Sequence, residues 1–418
     1  MGQTGALVTV EHADSLVAKE VQGVSFRELL GNVRIRHDKV AIRCDRAVQN
    51  LSLNEVELIG NVIVLQDTLT FKSARGMYNG DRRTAWSSNG VFLNDGHTTL
   101  TADAGKYETG PRIARFTSRV TVDEPQARIQ ADALTYERDS ARALAAGNVR
   151  VEFTGENAVV LSDTAEHFIE RRISFFTGKP VLWRIDTNYL HPDTLAIAAD
   201  SIRLDTTTVK ARGMEARRDS SNAFIAYGDV EVVRGEMAAR GQMVAFLRND
   251  SLVILRNDPV LWYERTQATG DSIAVTLANG ALRLLEILGN AFSLSESRPS
   301  EQDTTGPPGR FDQTKGRFIR MLFEDDAPRR ITVDSTALSI YYLYDGRALN
   351  GVRRESGDRI VIDFVDGEAD TIISVGGVEG TYYPEKYVTG RESSFNLEGF
   401  VLRTDRPLQP PHPDGAAR

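Results

Sequence analysis

Cysteine is nearly missing from this chain: Cys44 is the only one among 418 residues. That excludes an intrachain disulfide and any cysteine-built metal site. Long apolar runs are missing too, and no stretch approaches the roughly 18–20 apolar residues of a membrane-spanning helix. The opening residues, Met1-Gly2-Gln3-Thr4-Gly5-Ala6-Leu7-Val8, have neither the basic region nor the apolar stretch of a secretory leader. Either the chain stays in the cytosol or a leader lies outside this sequence. Ala6 stands where N-myristoylation needs Ser or Thr.

Chemistry-bearing patterns are equally sparse. His12, His37, His97, His167, His191 and His412 never fall at metal-ligand spacing. There is no Gly-x-Ser-x-Gly elbow and no phosphate-binding glycine loop; Gly178-Lys179-Pro180 lacks both the preceding glycines and the following hydroxyl. A formal net charge of −8 argues against a nucleic-acid partner. No cofactor and no metal are expected.

What the chain does have is a repeat. Gly31-Asn32-Val33-Arg34-Ile35 returns as Gly60-Asn61-Val62-Ile63-Val64, Gly90-Val91-Phe92-Leu93, Val120-Thr121-Val122 and Gly147-Asn148-Val149-Arg150-Val151. From Val33 to Val149 the step is 29 residues four times running. Looser copies follow at Val181-Leu182-Trp183, Gly228-Asp229-Val230-Glu231-Val232, Asp258-Pro259-Val260-Leu261-Trp262 and Gly289-Asn290-Ala291-Phe292. The wide step before Val230 holds an additional strand-like unit, Leu195 to Leu204. A second phrase sits midway in each period, as in Leu100 to Tyr107 and Ile129 to Tyr136.

Both phrases alternate apolar and polar residues and favour Val, Ile, Thr, Phe and Tyr, the mark of half-buried strands. With 41% hydrophobic and 26% charged residues the composition is that of a folded chain. The pattern predicts an all-β protein: an elongated, repeat-built β-jelly roll with a β-rich C-terminal segment. Residues 1–297 form the repeat region, and 298–316 a Pro/Gly-rich linker or loop. Residues 317–403 form a β segment that continues or caps the array, and 404–418 a disordered, proline-rich tail.

Two strand sets with one apolar face each must bury those faces together. The inward positions are then Val33, Ile35, Val62, Val64, Val91, Leu93, Val120, Val122, Val149, Val151, Val181, Trp183, Val230, Val232, Val260 and Trp262. Periodicity alone leaves open whether that interior is packed solid or forms a trough for hydrocarbon. Trp183 and Trp262 read more readily as core than as ligand platforms. The recurring aspartates Asp45, Asp103, Asp132, Asp163, Asp200 and Asp271 read as polar residues at strand bends. A calcium-binding β-roll would need glycine-rich turns every nine residues or so.

Leu30-Gly31-Asn32-Val33, the return of Gly60-Asn61-Val62, Ala131-Asp132-Ala133-Leu134-Thr135-Tyr136 and Asp258-Pro259-Val260-Leu261-Trp262 resemble the OstA-like family, which includes LptA-type lipopolysaccharide transport proteins. The later phrases Gly351-Val352-Arg353-Arg354 and Gly376 to Pro384 resemble its longer members. The resemblance covers roughly residues 8 to 403. It implies a non-catalytic carrier or bridge in the periplasm, or on the periplasmic face of the outer membrane, holding the acyl chains of lipid A in an apolar β groove. The implied partners are lipopolysaccharide, the inner-membrane transporter complex and the outer-membrane translocon. Head-to-tail self-association through sheet edges is implied as well. Two other classes stay open on the residues alone: a β-solenoid carbohydrate-active enzyme, and a structural or adhesive surface repeat protein.

Overall fold

The computed structural model describes residues 8–37, 39–189, 202–278, 281–299, 309–324, 327–365 and 368–410. Its elements are overwhelmingly β-strands in antiparallel pairs, with helical turns only at Arg248–Asp250, Glu385–Val388 and Glu392–Phe395 among the described residues. The chain divides into two units, residues up to Pro180 and residues from Val181 onward. The expected extra unit Leu195 to Leu204 lies outside the described residues up to 201; from there the strand Ile202–Lys210 is seen.

The Gly-Asn dipeptide explains the architecture. In the strand Val24–His37, Gly31 and Asn32 have φ of 74° and 46°; in Glu55–Gln66, Gly60 and Asn61 have 74° and 45°; in Arg142–Phe153, Gly147 and Asn148 have 77° and 45°. Glycine adopts this left-handed region freely and asparagine tolerates it. Register slips at the same place: Leu30 pairs with Arg46 and Val33 with Cys44, so two residues oppose Asp45 alone. Such a bulge bends the strand. Each long strand thereby gains a leading half and a trailing half, which run in different layers.

At several corners an acidic side chain clamps the bend. Asn61 Nδ2 donates to Asp45 Oδ2 at 2.8 Å, Asn148 to Asp132 at 2.7 Å, Asn32 to Asp14 at 3.1 Å and Asn290 to Asp271 at 3.0 Å. A Cβ on Gly60 would lie 2.2 Å from Asp45 Oδ2, so the clamp closes only over glycine. Where Ser118-Arg119 replaces Gly-Asn, the guanidinium of Arg119 donates to Asp103 at 2.6 Å and holds that carboxyl below its usual range. At Gly228-Asp229 the charges are exchanged, and Arg212 Nε donates to Asp229 at 2.7 Å. The aspartates therefore serve the bends.

In the N-terminal unit the two layers face each other across the corner. Leu29, Ala47 and Leu58, in the layer that holds the leading halves of the bulged strands (the leading layer), pack in one cluster with Val33, Cys44 and Val62 in the other, the trailing layer. Further along, a Cβ on Gly105 would sit 3.3 Å from Val91 Cγ1, so the layers touch there as well.

The C-terminal unit repeats the plan with longer strands, among them Ala281–Glu296, Phe311–Glu324, Ala327–Asp345 and Ala348–Val365. Strand structure resumes at Phe311, inside the span 298–316 expected as linker, because Phe311 to Gly316 pair with Glu296 to Ala291. Residues 300–308 of that span lie outside the described residues. After the strand Glu379–Pro384 and the turn Glu385–Val388, residues 396–410 pass through a turn at Glu398-Gly399 and then run without strand pairing over the outer surface of the trailing layer. Residues 404–410, expected in a disordered tail, are held in place: Arg406 donates to the carbonyls of Glu264 at 2.8 Å and Glu236 at 2.6 Å. Composition reads this stretch as unstructured because its partners are more than a hundred residues away; residues 411–418 lie outside the described set.

The corner is testable against a glycine in the same unit with free space around it. Gly147→Ala forces an L-residue to φ of 77° and places Cβ 2.5 Å from Asp132 Oδ2, whereas Gly155 has nothing within 4 Å. Urea unfolding followed by circular dichroism is expected to show Gly147→Ala destabilised by about 1–3 kcal/mol, with Gly155→Ala close to wild type.

Candidate functional site

The inward surface of the N-terminal unit is built from rows of side chains that pair across the strands. Nearest the corner, a valine faces a small residue in each hairpin: Val33 opposite Cys44, Val62 opposite Ser73, Val91 opposite Ala102, Val120 opposite Ala131 and Val149 opposite Ser162. These valines are closed off from water; Val33 is 1% exposed. Cys44 lies in the same row, and burial pushes its thiol up to about 11, so it packs as a small apolar residue.

One step further from the corner the row is unbroken. Val10, Ile35, Ile42, Val64, Phe71, Leu93, Leu100, Val122, Ile129, Val151 and Val160 are successive partners, each on the next strand. Adjacent strands lie about 4.8 Å apart, so this stripe runs for about 50 Å. Several of its members, Ile42, Val64, Phe71, Leu93 and Ile129, are only half-buried. The inside is sealed at the corner and looser away from it.

On the facing layer the equivalent outer row alternates aromatic and small side chains. Tyr78 pairs with Ala85, Ala85 with Tyr107, Tyr107 with Ala114, Ala114 with Tyr136, Tyr136 with Ala143, and Ala143 with His167. The tyrosines are half-buried, each beside an alanine of the neighbouring strand. These residues were absent from the expected site set. Their signal was available, since Tyr78, Tyr107 and Tyr136 recur at the 29-residue step.

The structure places Val33, Ile35, Val62, Val64, Val91, Leu93, Val120, Val122, Val149 and Val151 together on this inward surface. Val230 and Val232 hold the corresponding inward positions of the C-terminal unit, where Val232 pairs with Ala239 and Ala239 with Leu261. Val181, Trp183, Val260 and Trp262 do not belong with them. Val260 pairs with Arg240, which pairs with Glu231; Trp183 pairs with Thr208, which pairs with Val233. All four therefore lie on the opposite, outer face. The cause is proline. In the left-handed pairs Gly178-Lys179 and Asn257-Asp258 the next residue is Pro180 or Pro259. Each proline takes the position held elsewhere by Val33 or Val230. The apolar run after it is displaced by one residue, which in a strand reverses its face.

The interior of the C-terminal unit is chemically different. Its leading layer carries Met214, Ala226, Val244, Leu255, Ile273, Ile287, Ile319, Val333 and Ile360 as successive partners, all at 0–1% exposure. The facing row begins apolar with Val232, Ala239, Leu261 and Ala268 and continues as Ser293, Thr314, Ser339 and Glu355. Glu355 is paired with Arg353 and accepts a hydrogen bond from Ser374 Oγ at 2.9 Å. A tightly filled, partly polar interior offers little to a hydrocarbon chain. Among the described residues, no cluster of His, Cys, Asp or Glu could hold a metal ion, and no helix is long and apolar enough to cross a membrane. Asp200 of the aspartate series lies outside the described residues.

Residues 5–163 match the family model described as OstA-like protein. That span is OstA-like. The matched span coincides with the OstA-like repeats that carry the unbroken apolar row from Val10 to Val160. Among solved structures, the chain is similar to LptH from Pseudomonas aeruginosa, described as the LptA homologous periplasmic component of the conserved lipopolysaccharide transport device. Identity is 12%, with 35% of this chain and 95% of that chain covered and a TM-score of 0.27. No curated protein matches the chain.

Asp312 allows the partly polar interior to be tested. Its carboxylate accepts from the Tyr342 N–H at 2.9 Å, yet burial pushes it up from 3.8 to about 7. The folded state therefore keeps a proton that the unfolded chain releases. The stabilising contribution is complete below pH 3.8 and is lost as pH rises through about 7. Asp312→Asn is expected to flatten the fall in unfolding free energy across that window, measured by urea titration at successive pH values. An unchanged slope would assign the pH dependence to other groups.

Proposed function

We propose that this chain is a non-catalytic lipopolysaccharide-transport protein of the periplasm, or of the periplasmic face of the outer membrane, whose N-terminal unit holds acyl chains between its two layers. The unbroken apolar row from Val10 to Val160 carries this reading. Acyl chains need a continuous apolar surface with no charged interruption, and this row supplies one with half-buried members. Each methylene moved from water into such an interior contributes about 0.8 kcal/mol, which offsets the cost of parting side chains along the looser edge. The tyrosine row suits the boundary between a hydrocarbon tail and a polar head group.

The end of the unit supports a partner in series. Strands Val8–His12 and Ser15–Val21 pair with Val24–His37 on one side and with no further strand among the described residues on the other. Val10, Leu16, Val17 and Val21 are exposed there, Leu16 at 63%. An edge of this kind recruits another strand. The reading assigns it to a neighbouring transport component, either the inner-membrane transporter complex, the outer-membrane translocon or a further copy joined head to tail.

Adjacent residues on one strand test the reading. Leu93 points inward, while Phe92 points outward beneath Lys72, whose Nζ lies 5.5 Å from the ring centre. A photocrosslinking amino acid at Leu93 is expected to capture lipopolysaccharide in cells and one at Phe92 to give background labelling. Equal labelling at both positions would reject the interior as the carrier and favour a structural role.

A further inference from the structure

The outer face of the trailing layer in the C-terminal unit carries buried amides in an otherwise mostly apolar row. Its middle row runs through Trp183, Thr208, Val233, Ala238, Trp262, Gln267, Leu294, Gln313 and Ile340 as successive partners. Two glutamines in this mostly apolar row are buried, Gln267 at 4% and Gln313 at 1% exposure. A buried amide without partners is costly, because both its donor and its acceptor lose water.

Residues 396–410 supply those partners. Gln267 Nε2 donates to the Val401 carbonyl at 2.8 Å, and its Oε1 accepts from the Arg403 N–H at 2.8 Å. One side-chain amide thus bonds a carbonyl and an N–H two residues apart, as a neighbouring strand would. Gln313 Nε2 donates to Asn396 Oδ1 at 2.8 Å while its Oε1 accepts from the Leu397 N–H at 2.9 Å. Arg240 pairs with Asp405 at 2.8 Å, and Gln409 Nε2 donates to Thr208 Oγ1 at 2.6 Å. Leu397 and Pro407 are buried, whereas Val401, Leu402 and Leu408 face solvent.

No backbone ladder joins residues 400–410 to the sheet. The segment is held by side chains that contact it one at a time, so it can detach without breaking any strand pairing. We propose that this face is a peptide-binding channel, filled here by the chain's own residues 396–410, and that the same segment of a second copy can replace them. The channel reads an extended backbone through Gln267, holds Asn396 and the Leu397 N–H through Gln313, and selects an Asp-Arg pair through Arg240 and the carbonyls of Glu236 and Glu264. The exchange would link two copies through faces that take no part in the acyl-chain site proposed above.

Two measurements on the full chain test this. A fluorescent peptide spanning residues 396–410 is added to the wild-type protein and to the Asp405→Ala/Arg406→Ala double variant, whose own strap is loosened. Fluorescence anisotropy is expected to show at least tenfold tighter binding by the double variant, and Gln267→Leu in the same background is expected to remove it. Equal affinities, or binding indifferent to Gln267→Leu, would overturn the proposal. The second measurement does not depend on that variant folding. Thr208→Cys protein is mixed with Gln409→Cys protein under mild oxidation; Cys44 is buried and stays out of the reaction. Mass spectrometry should find a disulfide joining position 208 of one copy to position 409 of the other, well above the symmetric dimers. Its absence above that level would show that the strap stays with its own chain.

Discussion

The hydrogen bond between an aspartate and a left-handed Gly-Asn pair governs this molecule. A strand left to itself would run straight through one sheet and expose one apolar face. The two positive-φ residues bend it, and the acidic side chain on the neighbouring strand fixes the bend by bonding the asparagine at Asp45, Asp132 and Asp271. An exposed bond of this kind contributes about 0.5–1.5 kcal/mol, and it is made at the bends of Asn32, Asn61, Asn148 and Asn290. Exchange of the acid for Arg212 opposite Asp229 keeps the bond and reverses its polarity. The partner types can vary as long as the corner is held.

With the corner in place, side-chain size decides what each unit can hold. In the N-terminal unit, valine opposite Cys, Ser or Ala closes the corner, and Tyr opposite Ala keeps the far side loose. The same corner in the C-terminal unit brings a wall of Ile, Leu, Val and Met against serine, threonine and glutamate. That interior is full, and its glutamate and aspartate tie it to structure. The two units share a backbone plan and differ in what their insides can accommodate.

Much of this was legible in the sequence. The period, the strand alternation and the bend role of the aspartates all follow from local chemistry, because glycine, asparagine and period-two patterning act within a few residues. The faces of Trp183 and Trp262 were misread for an equally local reason, a proline that occupies one inward position and displaces the apolar run after it. The strap escaped notice because its partners are remote: Gln267 reaches Val401 across 134 residues and Thr208 meets Gln409 across 201. A proline-rich, arginine-containing stretch looks unstructured until the surface that receives it is known.

The proline positions also show what kinds of length change this architecture tolerates. A full period brings its own bend, acid and pair of facing residues, so gaining or losing one lengthens or shortens the ladder and leaves every other side chain on its original side. A single-residue insertion has the opposite effect and turns everything up to the next bend inside out. Evolution of such a chain should therefore proceed in jumps of about thirty residues, with smaller changes confined to the hairpin tips between strands.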